Sequence, residues 1–414
     1  MFFKKFNISF ILTVCSLQVL LFSGCASNNT KLSTSVGPSL SSSYSEPKGI
    51  NSVQSIPKLD VIIPVFDPGL TQDQDYEDEN IWPEIRRAEA NRFAYKLKEK
   101  LDETGQFGSV RVTPDRTATG DLYILGQIKE SNGEEVEVAI EVIDISSRKW
   151  LDESFDHEVS DAFHKNYRNK GKDSYDPLFE KIAAQIVEEL EDHDSKELED
   201  LHYLSDIRFG ANFSDSKFMQ YIEIKEDQFK LVSKPSDLDP MFRRVKAIRV
   251  RDQLFIDGLQ NNYASFSSKM NDSYLMWQSQ SLLEIKAKRS ANRKSIIQAV
   301  GGVALIGLGV LSAVAGAGSY SPATQTASTL GMLAGGVGGA LLIGQSFKTS
   351  EEANVHRETL NELGKSVDLE FAPKVIAFNK KSVELTGNAK EQFMQWRIFL
   401  QKIYSEEKTP DVQL

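Results

Sequence analysis

The chain has 414 residues, which is long enough for roughly two or three domains with cores of their own. Its formal net charge is −11, so its long-range field repels polyanions and we expect no nucleic-acid partner, although a local basic patch is not excluded. Both cysteines, Cys15 and Cys25, lie near the N-terminus, which leaves the rest of the chain without a disulfide, a thiol nucleophile or a thiolate metal site.

Residues 1–24 have the three zones of a bacterial lipoprotein signal peptide. Lys4 and its neighbour give a positive start, and an apolar run follows over residues 10–21 that is too short to span a membrane comfortably. Small residues then precede Cys25, in a pattern that resembles the lipobox of bacterial lipoproteins. That resemblance implies cleavage before Cys25 and acyl chains on its sulfur. The alternative is an ordinary cleaved signal peptide with a chance cysteine.

The lipobox resemblance also implies a location. Acyl chains on Cys25 would anchor the chain in a lipid bilayer. Ala26, and not an aspartate, follows the cysteine, which by resemblance to sorted lipoproteins favours the periplasmic side of the cell outer membrane over the inner membrane. Residues 25–56 are rich in Ser, Asn, Thr and Gly and poor in apolar residues, so they predict a flexible tether.

Residues 57–195 predict an α/β domain with a mixed sheet. The β-rich run from Leu59 to Phe66 has little alternation, as expected of a strand that is buried on both faces. Pro83 opens a helix, and Asn132-Gly133 is the strongest hairpin signal in the chain. An apolar stripe over residues 176–191 predicts a second helix, so the predicted order of elements is β-α-β-β-β-β-α.

Three short stretches of this domain follow one another in a recognisable order. The first strand ends in Val65-Phe66-Asp67, and a later strand reads Asp121-Leu122-Tyr123-Ile124-Leu125-Gly126. A further strand then closes with Asp144-Ile145-Ser146-Ser147. In this order they resemble the N-terminal domain of TolB and the related domain of CsgG-type and FlgO-type envelope lipoproteins. The resemblance covers about a third of the chain. It implies a mixed α/β fold in a secretion-associated or appendage-associated lipoprotein. Folds of this kind host several roles, so the fold alone does not assign one.

The chain has no pattern of a known active site. A nucleophile elbow, a P-loop and a strand-linked dinucleotide motif are missing from the sequence, so we expect neither an enzyme nor a cofactor. The acidic loop 73–79 lacks the central glycine and closing glutamate of a calcium-binding EF-hand. A second polar cluster lacks the spacing of zinc ligands, so we expect a solvated face and no metal. Its members are Asp152, Glu153, Asp156, His157, Glu158, Asp161 and His164.

Residues 196–294 predict a small β element followed by a long amphipathic helix. Within residues 200–235, alternating residues predict two short strands at 221–224 and 229–232, on either side of a polar turn. Asp239-Pro240 matches an N-cap and a first helical position, and apolar residues then recur at helical intervals. They are Met241, Val245, Ile248, Phe255, Leu259, Phe266, Met270, Tyr274 and Trp277.

This apolar stripe allows more than one arrangement. It forms one helix, or two helices broken near Gly258 or Asn271, and it packs on its own domain or on a partner as a coiled coil. The cations that follow it are either a solvated helix end or a contact with lipid headgroups. They are Lys286, Lys288, Arg289, Arg293 and Lys294.

No charged residue or histidine occurs from Ser295 to Phe347. Two apolar arms flank a polar turn, and residues 296–318 are long enough to span a bilayer as a helix. Small residues spaced four apart share a helix face and let two backbones approach closely in lipid. They are Gly309, Ala313 and Ala317, then Gly331, Gly335 and Gly339, then Gly336, Ala340 and Gly344. Residues 295–347 resemble glycine-zipper segments of other envelope proteins and predict a helical hairpin that inserts in a membrane or oligomerises. The alternative is a hairpin buried in a soluble domain.

Residues 348–414 predict a C-terminal α/β tail. A helix from Glu351, a strand hairpin around Asn379 and a helix with a capping-box start at Asn388 and Glu391 follow one another. The whole chain therefore predicts an α+β fold, in which a mixed sheet precedes a mainly helical region.

These features favour a lipid-anchored structural, assembly or secretion-accessory lipoprotein. Its expected partners are the bilayer, through the acyl chains of Cys25, and a second copy or another envelope protein, through residues 295–347. The second hypothesis is a monomeric periplasmic binding or adaptor lipoprotein. The third is a hydrolase with an unrecognised site.

Overall fold

The computed structural model describes residues 57–71, 81–309, 351–378 and 381–406. These residues confirm the predicted α+β class, with a mixed sheet near the N-terminus and mainly helices after it. They belong to one compact unit, Ile56–Leu414, in which the sheet and the helices share a hydrophobic core. The acidic loop 73–79 lies outside the described residues.

Five strands form the main sheet in the order β2-β1-β3-β4-β5. They are β1 (Val61–Pro64), β2 (Val110–Thr113), β3 (Leu122–Ser131), β4 (Glu135–Asp144) and β5 (Lys149–Glu158). β1 is parallel to both of its neighbours, and β3, β4 and β5 form an antiparallel meander. The helix α1 (Pro83–Thr104) follows β1 and the helix α2 (Asp176–Glu191) follows β5, which confirms the predicted order of elements.

Helices α1 and α2 pack on one face of the sheet, and this determines the pattern along each strand. β1 lies between two other strands and all of its residues are buried, as its unbroken apolar run predicts. In β4 the buried aliphatic residues from Val136 to Val142 alternate with partly buried Glu135, Glu137 and Glu141. Because successive side chains point to opposite faces, the second face of the meander is acidic.

The two strands predicted within residues 200–235 are confirmed as an antiparallel pair, and they are preceded by helices that the sequence did not predict. The elements there are α3 (Ser195–Ala211), the single turn α4 (Asp215–Phe218), β6 (Ile222–Lys225) and β7 (Gln228–Leu231). The Asp194 carboxylate accepts hydrogen bonds from two backbone N–H groups in the first turn of α3 and so caps it. α3 has no continuous apolar stripe because it also buries the polar side chains of Ser205 and Asp206.

The chain then forms α5 (Pro240–Gly309), a single helix of 70 residues. At about 1.5 Å per residue, α5 is about 105 Å long. The Asp239 carboxylate accepts hydrogen bonds from the backbone N–H groups of Met241 and Phe242 at 2.7 and 3.1 Å, which confirms the predicted N-cap. Of the two predicted arrangements the unbroken helix is the one observed, because α5 continues through both predicted break points.

The last elements return along α5. They are α6 (Glu351–Leu363), β8 (Lys374–Phe378), β9 (Lys381–Leu385) and α7 (Ala389–Glu406). Ser273 Oγ of α5 lies 2.9 Å from His356 Nδ1 of α6, and the end of α6 lies at a groove lined by earlier residues of α5. α6 is therefore antiparallel to α5. Reciprocal hydrogen bonds between Asn388 and Glu391 confirm the predicted capping box of α7.

Two glycines predict opposite outcomes for the same substitution. Gly133, in the turn between β3 and β4, has a φ of +93°, and a Cβ atom there would lie 2.5 Å from the Ser281 Cβ of α5. Gly258 lies in α5 with open space around it. We expect Gly133→Ala to lower the free energy of unfolding by about 2 kcal/mol through overpacking and backbone strain, and Gly258→Ala to raise it by about 1 kcal/mol through helix propensity. Urea denaturation of the two full-length variants measures both values. Equal effects would contradict the close packing of this turn on α5.

Candidate functional site

Most of the predicted site residues lie outside the described residues. Cys25 does, and so do Ala313, Ala317, Gly331, Gly335, Gly336, Gly339, Ala340 and Gly344. Gly309 is described, as the last residue of α5. The structure describes in detail how α5 is held before it reaches that glycine-rich segment.

Buried polar and charged side chains attach α5 to the rest of the protein. Arg249 and Asp252 are 3% and 1% exposed, and Tyr274 and Gln278 are 0% exposed. Burial of such groups is unfavourable unless each has a partner, so the partners determine where the helix lies. We call the polar contacts between α5 and the other elements the docking contacts. On α5 they involve Arg249, Asp252, Asp257, Gln260, Ser267, Asn271, Tyr274, Gln278, Lys286 and Arg289.

Arg249 joins α5 to α3 and to the start of β3. Its guanidinium donates to Asp206 Oδ1 at 2.5 Å and lies 3.5 Å from Asp121 Oδ1. Asp121 also accepts a hydrogen bond from the backbone N–H of Asp60 at 2.9 Å and lies 3.1 Å from His202 Nδ1. Burial alone would raise the pKa of Asp121, but the hydrogen bond with His202 and the charge of Arg249 outweigh it and hold this pKa below its usual range.

Gln260 binds the edge strand of the sheet. β2 is the outermost strand, and its Val112 donates its backbone N–H to Gln260 Oε1 and accepts from Gln260 Nε2, both at 2.9 Å. Asp257, three residues earlier on α5, pairs with Arg111 of β2 at 2.5 Å. α5 thereby covers an edge whose backbone groups would otherwise be free to pair with another chain.

Asp252 attaches α7 to the same helix. It accepts hydrogen bonds from Trp396 Nε1 at 3.0 Å and from Arg397 at 2.9 Å. Burial raises the pKa of Asp252 above its usual range, even though Arg397 and the Trp396 hydrogen bond act in the opposite direction. The Trp396 ring also stacks on Phe255, with ring centroids 4.9 Å apart.

Arg92 of α1 joins α5 to the residues that precede α2. It is 1% exposed and binds Asp173 at 2.7 Å. It also donates to the Ser267 carbonyl and to Asn271 Oδ1 of α5, at 3.2 and 3.0 Å. Gln278 of α5 donates to the other oxygen of Asp173 at 2.7 Å. Burial alone would raise the pKa of Asp173, but the charge and hydrogen bond of Arg92 outweigh it and keep this pKa low.

Glu89 is a buried carboxyl group beside this ion pair. Its Oε1 accepts hydrogen bonds from Ser131 Oγ at 2.5 Å and from the Tyr274 hydroxyl of α5 at 2.7 Å. The Arg86 guanidinium lies 3.9 Å from Oε2, which has no hydrogen-bond partner among the described residues. Burial raises the pKa of Glu89 to about 7, against the opposing effects of Arg86 and the two hydrogen bonds.

Two of the predicted basic residues form the docking contacts at the far end. Arg289 donates to Glu134, next to the β3–β4 turn, at 2.8 Å. Lys286 pairs with Asp161, in the loop after β5, at 2.5 Å. From Arg289 the helical backbone continues to Gly309.

No protein family, curated protein or solved structure matches this chain. Within the described residues, no helix combines the length and the apolar character needed to cross a membrane. The predicted polar cluster lies on β5 and the loop after it, and the described part of the chain has no group of three potential ligands that could hold a metal ion. The docking contacts are therefore the best-defined arrangement from which to infer a function.

Sequence analysis did not predict the docking contacts, although a signal for them is present. Arg249, Asp252 and Gln278 share a helix face with the apolar stripe, where a solvated charge would not be expected. A charged residue on an apolar face predicts a buried partner. It does not identify that partner, which lies elsewhere in the chain.

Glu89 predicts that stability depends on pH. Its pKa is about 7 in the folded protein and 4.5 in the reference state, so the folded state binds the proton more tightly. The contribution of Glu89 is therefore fully present below about pH 4.5 and is lost as the pH rises through about 7. We expect the free energy of unfolding of Glu89→Gln, which cannot ionise, to lack this decrease. Denaturation of both proteins at about pH 5 and about pH 8 measures the difference. Parallel curves would contradict the buried carboxyl group.

Arg92 and Asp173 predict a non-additive pair of substitutions. Arg92→Met leaves a buried carboxylate without its cation, and we expect a loss of about 3–5 kcal/mol in the free energy of unfolding. The double variant Arg92→Met, Asp173→Leu removes both charges and should recover most of that loss. Lys100→Met is the control, because Lys100 of α1 pairs with Glu180 in an exposed ion pair and its loss should cost less than about 1 kcal/mol. Additive effects in the double variant would contradict the coupling.

Proposed function

We propose that this chain is a lipid-anchored envelope lipoprotein of the assembly or secretion-accessory class. In this proposal α5 is a rigid strut that presents residues 295–347 to a membrane or to further copies at a set distance from the α/β domain. The observation that supports it best is the unbroken course of α5 from its N-cap at Asp239 to Gly309.

The docking contacts support a strut more than a loosely packed surface helix. They extend from Arg249 to Arg289, which at about 1.5 Å per residue is a length of about 60 Å. From Arg289 the helix continues for 20 residues, or about 30 Å. Residues 295–309, in that continuation, are free of charged side chains. A helix held over such a length transmits the position of the domain to its end.

The proposed tether is long enough for both attachments to reach one bilayer. The domain begins beside Gln253, which donates to Asp60 Oδ2 at 2.9 Å. From Gln253 to residue 295 is 42 residues of helix, or about 63 Å. Residues 25–56 number 32 and reach at most about 110 Å when extended. Acyl chains on Cys25 and the apolar segment are therefore compatible with the same membrane.

Close packing of the small residues is the proposed means of association. In lipid, glycines four apart let helices approach closely, whereas in water each glycine in a helix costs about 1 kcal/mol relative to alanine. A segment with this composition favours a site where packing against another helix offsets that cost. We therefore propose a homo-oligomer, with the outer membrane as its location and the periplasmic side as its environment.

Detergent extraction followed by size measurement tests this proposal. We expect the native chain to behave as an oligomer and the Gly335→Leu variant to dissociate, because leucine on the small-residue face separates the helices. Gly49→Leu, in the predicted tether, is the matched control and should leave the size unchanged. A monomer of unchanged size in all three proteins would favour the adaptor hypothesis instead. Mass spectrometry that found an unacylated Cys25 would contradict the lipid anchor.

A further inference from the structure

The loop between β5 and α2 has a positive net charge, although the chain as a whole is acidic. We call residues 161–173 the basic loop. Its cations are Lys165, Arg168, Lys170 and Lys172, all of which are exposed. None of them forms an ion pair within the part of the chain that the structure describes. Four cations lie within these eight residues, whereas the net charge of the whole chain is −11.

The basic loop has a defined conformation. Asn166 Oδ1 accepts the backbone N–H of Arg168 at 3.1 Å, at the start of a 3₁₀ turn over Tyr167–Asn169. Asn169 Nδ2 donates to the Phe163 carbonyl at 3.1 Å. Phe163 itself packs against the hydrophobic core. The cations are therefore held on a structured turn.

Tyr167 lies at the tip of this turn and is 86% exposed, the highest value among the exposed large hydrophobic residues of the described chain. An exposed aromatic ring contributes no burial free energy to the fold, so a tyrosine held in this position on a structured turn is a candidate for contact with another surface. Tyrosine is enriched where membrane meets water, because its ring suits the headgroup level and its hydroxyl stays hydrated. Exposed cations on both sides of such a ring are typical of a surface that contacts anionic lipid.

Both ends of the basic loop are attached to α5 just before the apolar segment begins. Asp161 pairs with Lys286, and Asp173 accepts from Gln278. Arg289 follows on α5 and is half exposed. In sequence, two more cations stand directly before Ser295. The loop, Lys286 and Arg289 therefore form one surface that carries several cations, close along α5 to residue 295, where the uncharged segment begins. We call it the basic surface.

We infer that this basic surface binds anionic lipid headgroups, with Tyr167 at the headgroup level, and so sets the depth at which the apolar segment meets the bilayer. This inference rests on the proposed function, because it assigns the membrane contact of the same strut. An anionic surface attracts cations only within about 10 Å at moderate salt, so the loop contributes only when α5 brings it against the membrane. The acidic remainder of the protein is repelled, which favours one orientation.

Vesicle binding by the full chain with Cys25→Ala tests the inference without acyl chains. The probes are vesicles of phosphatidylcholine alone and vesicles that also contain phosphatidylglycerol. We expect tighter binding to the anionic vesicles, and weakening on the order of 100-fold in the variant Arg168→Glu, Lys170→Glu, Lys172→Glu, since each cation near an anionic surface contributes roughly tenfold or less. We expect Tyr167→Ser to weaken binding to both kinds of vesicle.

The matched control is Lys217→Glu, Lys225→Glu, Lys230→Glu. These exposed lysines change the net charge equally but lie near the opposite end of the sheet, where Phe229 bonds to the Ser146 carbonyl. Equal weakening by the two triple variants would overturn the inference, because net charge alone would then explain it. Unchanged binding in the loop variant would also overturn it and leave the glycine-rich segment as the membrane contact. A chain that bound neither kind of vesicle would contradict both the inference and the proposed membrane contact. Release by soluble polyphosphate together with loss of the preference for anionic vesicles would show a free-phosphate site and overturn the lipid assignment.

Discussion

The position of α5 depends on the buried ion pair between Arg92 and Asp173. Arg92 also donates to Ser267 and Asn271 of α5, and Asp173 accepts from Gln278 of α5. Helix α1, the basic loop and α5 therefore meet at this one ion pair. Because an uncompensated buried charge costs several kcal/mol, the helix has one favourable register. Apolar contacts alone are non-directional and would tolerate a shift along the axis. The polar contacts therefore provide position, and the apolar stripe provides most of the burial.

Helix α5 also covers one edge of the sheet. Edge strands expose backbone groups that can pair with another chain. At β2 the Gln260 amide occupies both groups of Val112. At the other edge β5 carries Asp152, Glu153 and Asp156, whose charges oppose strand addition. Because α5 covers this edge, the helix is part of the domain and not an appendage to it.

The proposed function and the proposed lipid surface share one geometric reason. A long helix transmits position only if it is held over much of its length, and the docking contacts extend over about 60 Å. They end where cations accumulate, at Lys286, Arg289 and the basic loop. From Ser295 to Phe347 the sequence then has no charged residue. The docking contacts, the basic surface and the apolar segment follow one another along the chain. This order suits the proposed protein, which lies against a bilayer and associates there.

Local elements of this protein were determined by the sequence alone. The N-cap at Asp239, the hairpin turn at Gly133 and the capping box at Asn388 were predictable because their interactions lie within three or four residues. The parts that were missed depend on distant partners. α3 buries polar residues that only its neighbours explain, and Arg92 meets Asp173 across 81 positions. Only the tertiary structure decided these contacts, because a buried charge shows in the sequence that it needs a partner but not where in the chain that partner is.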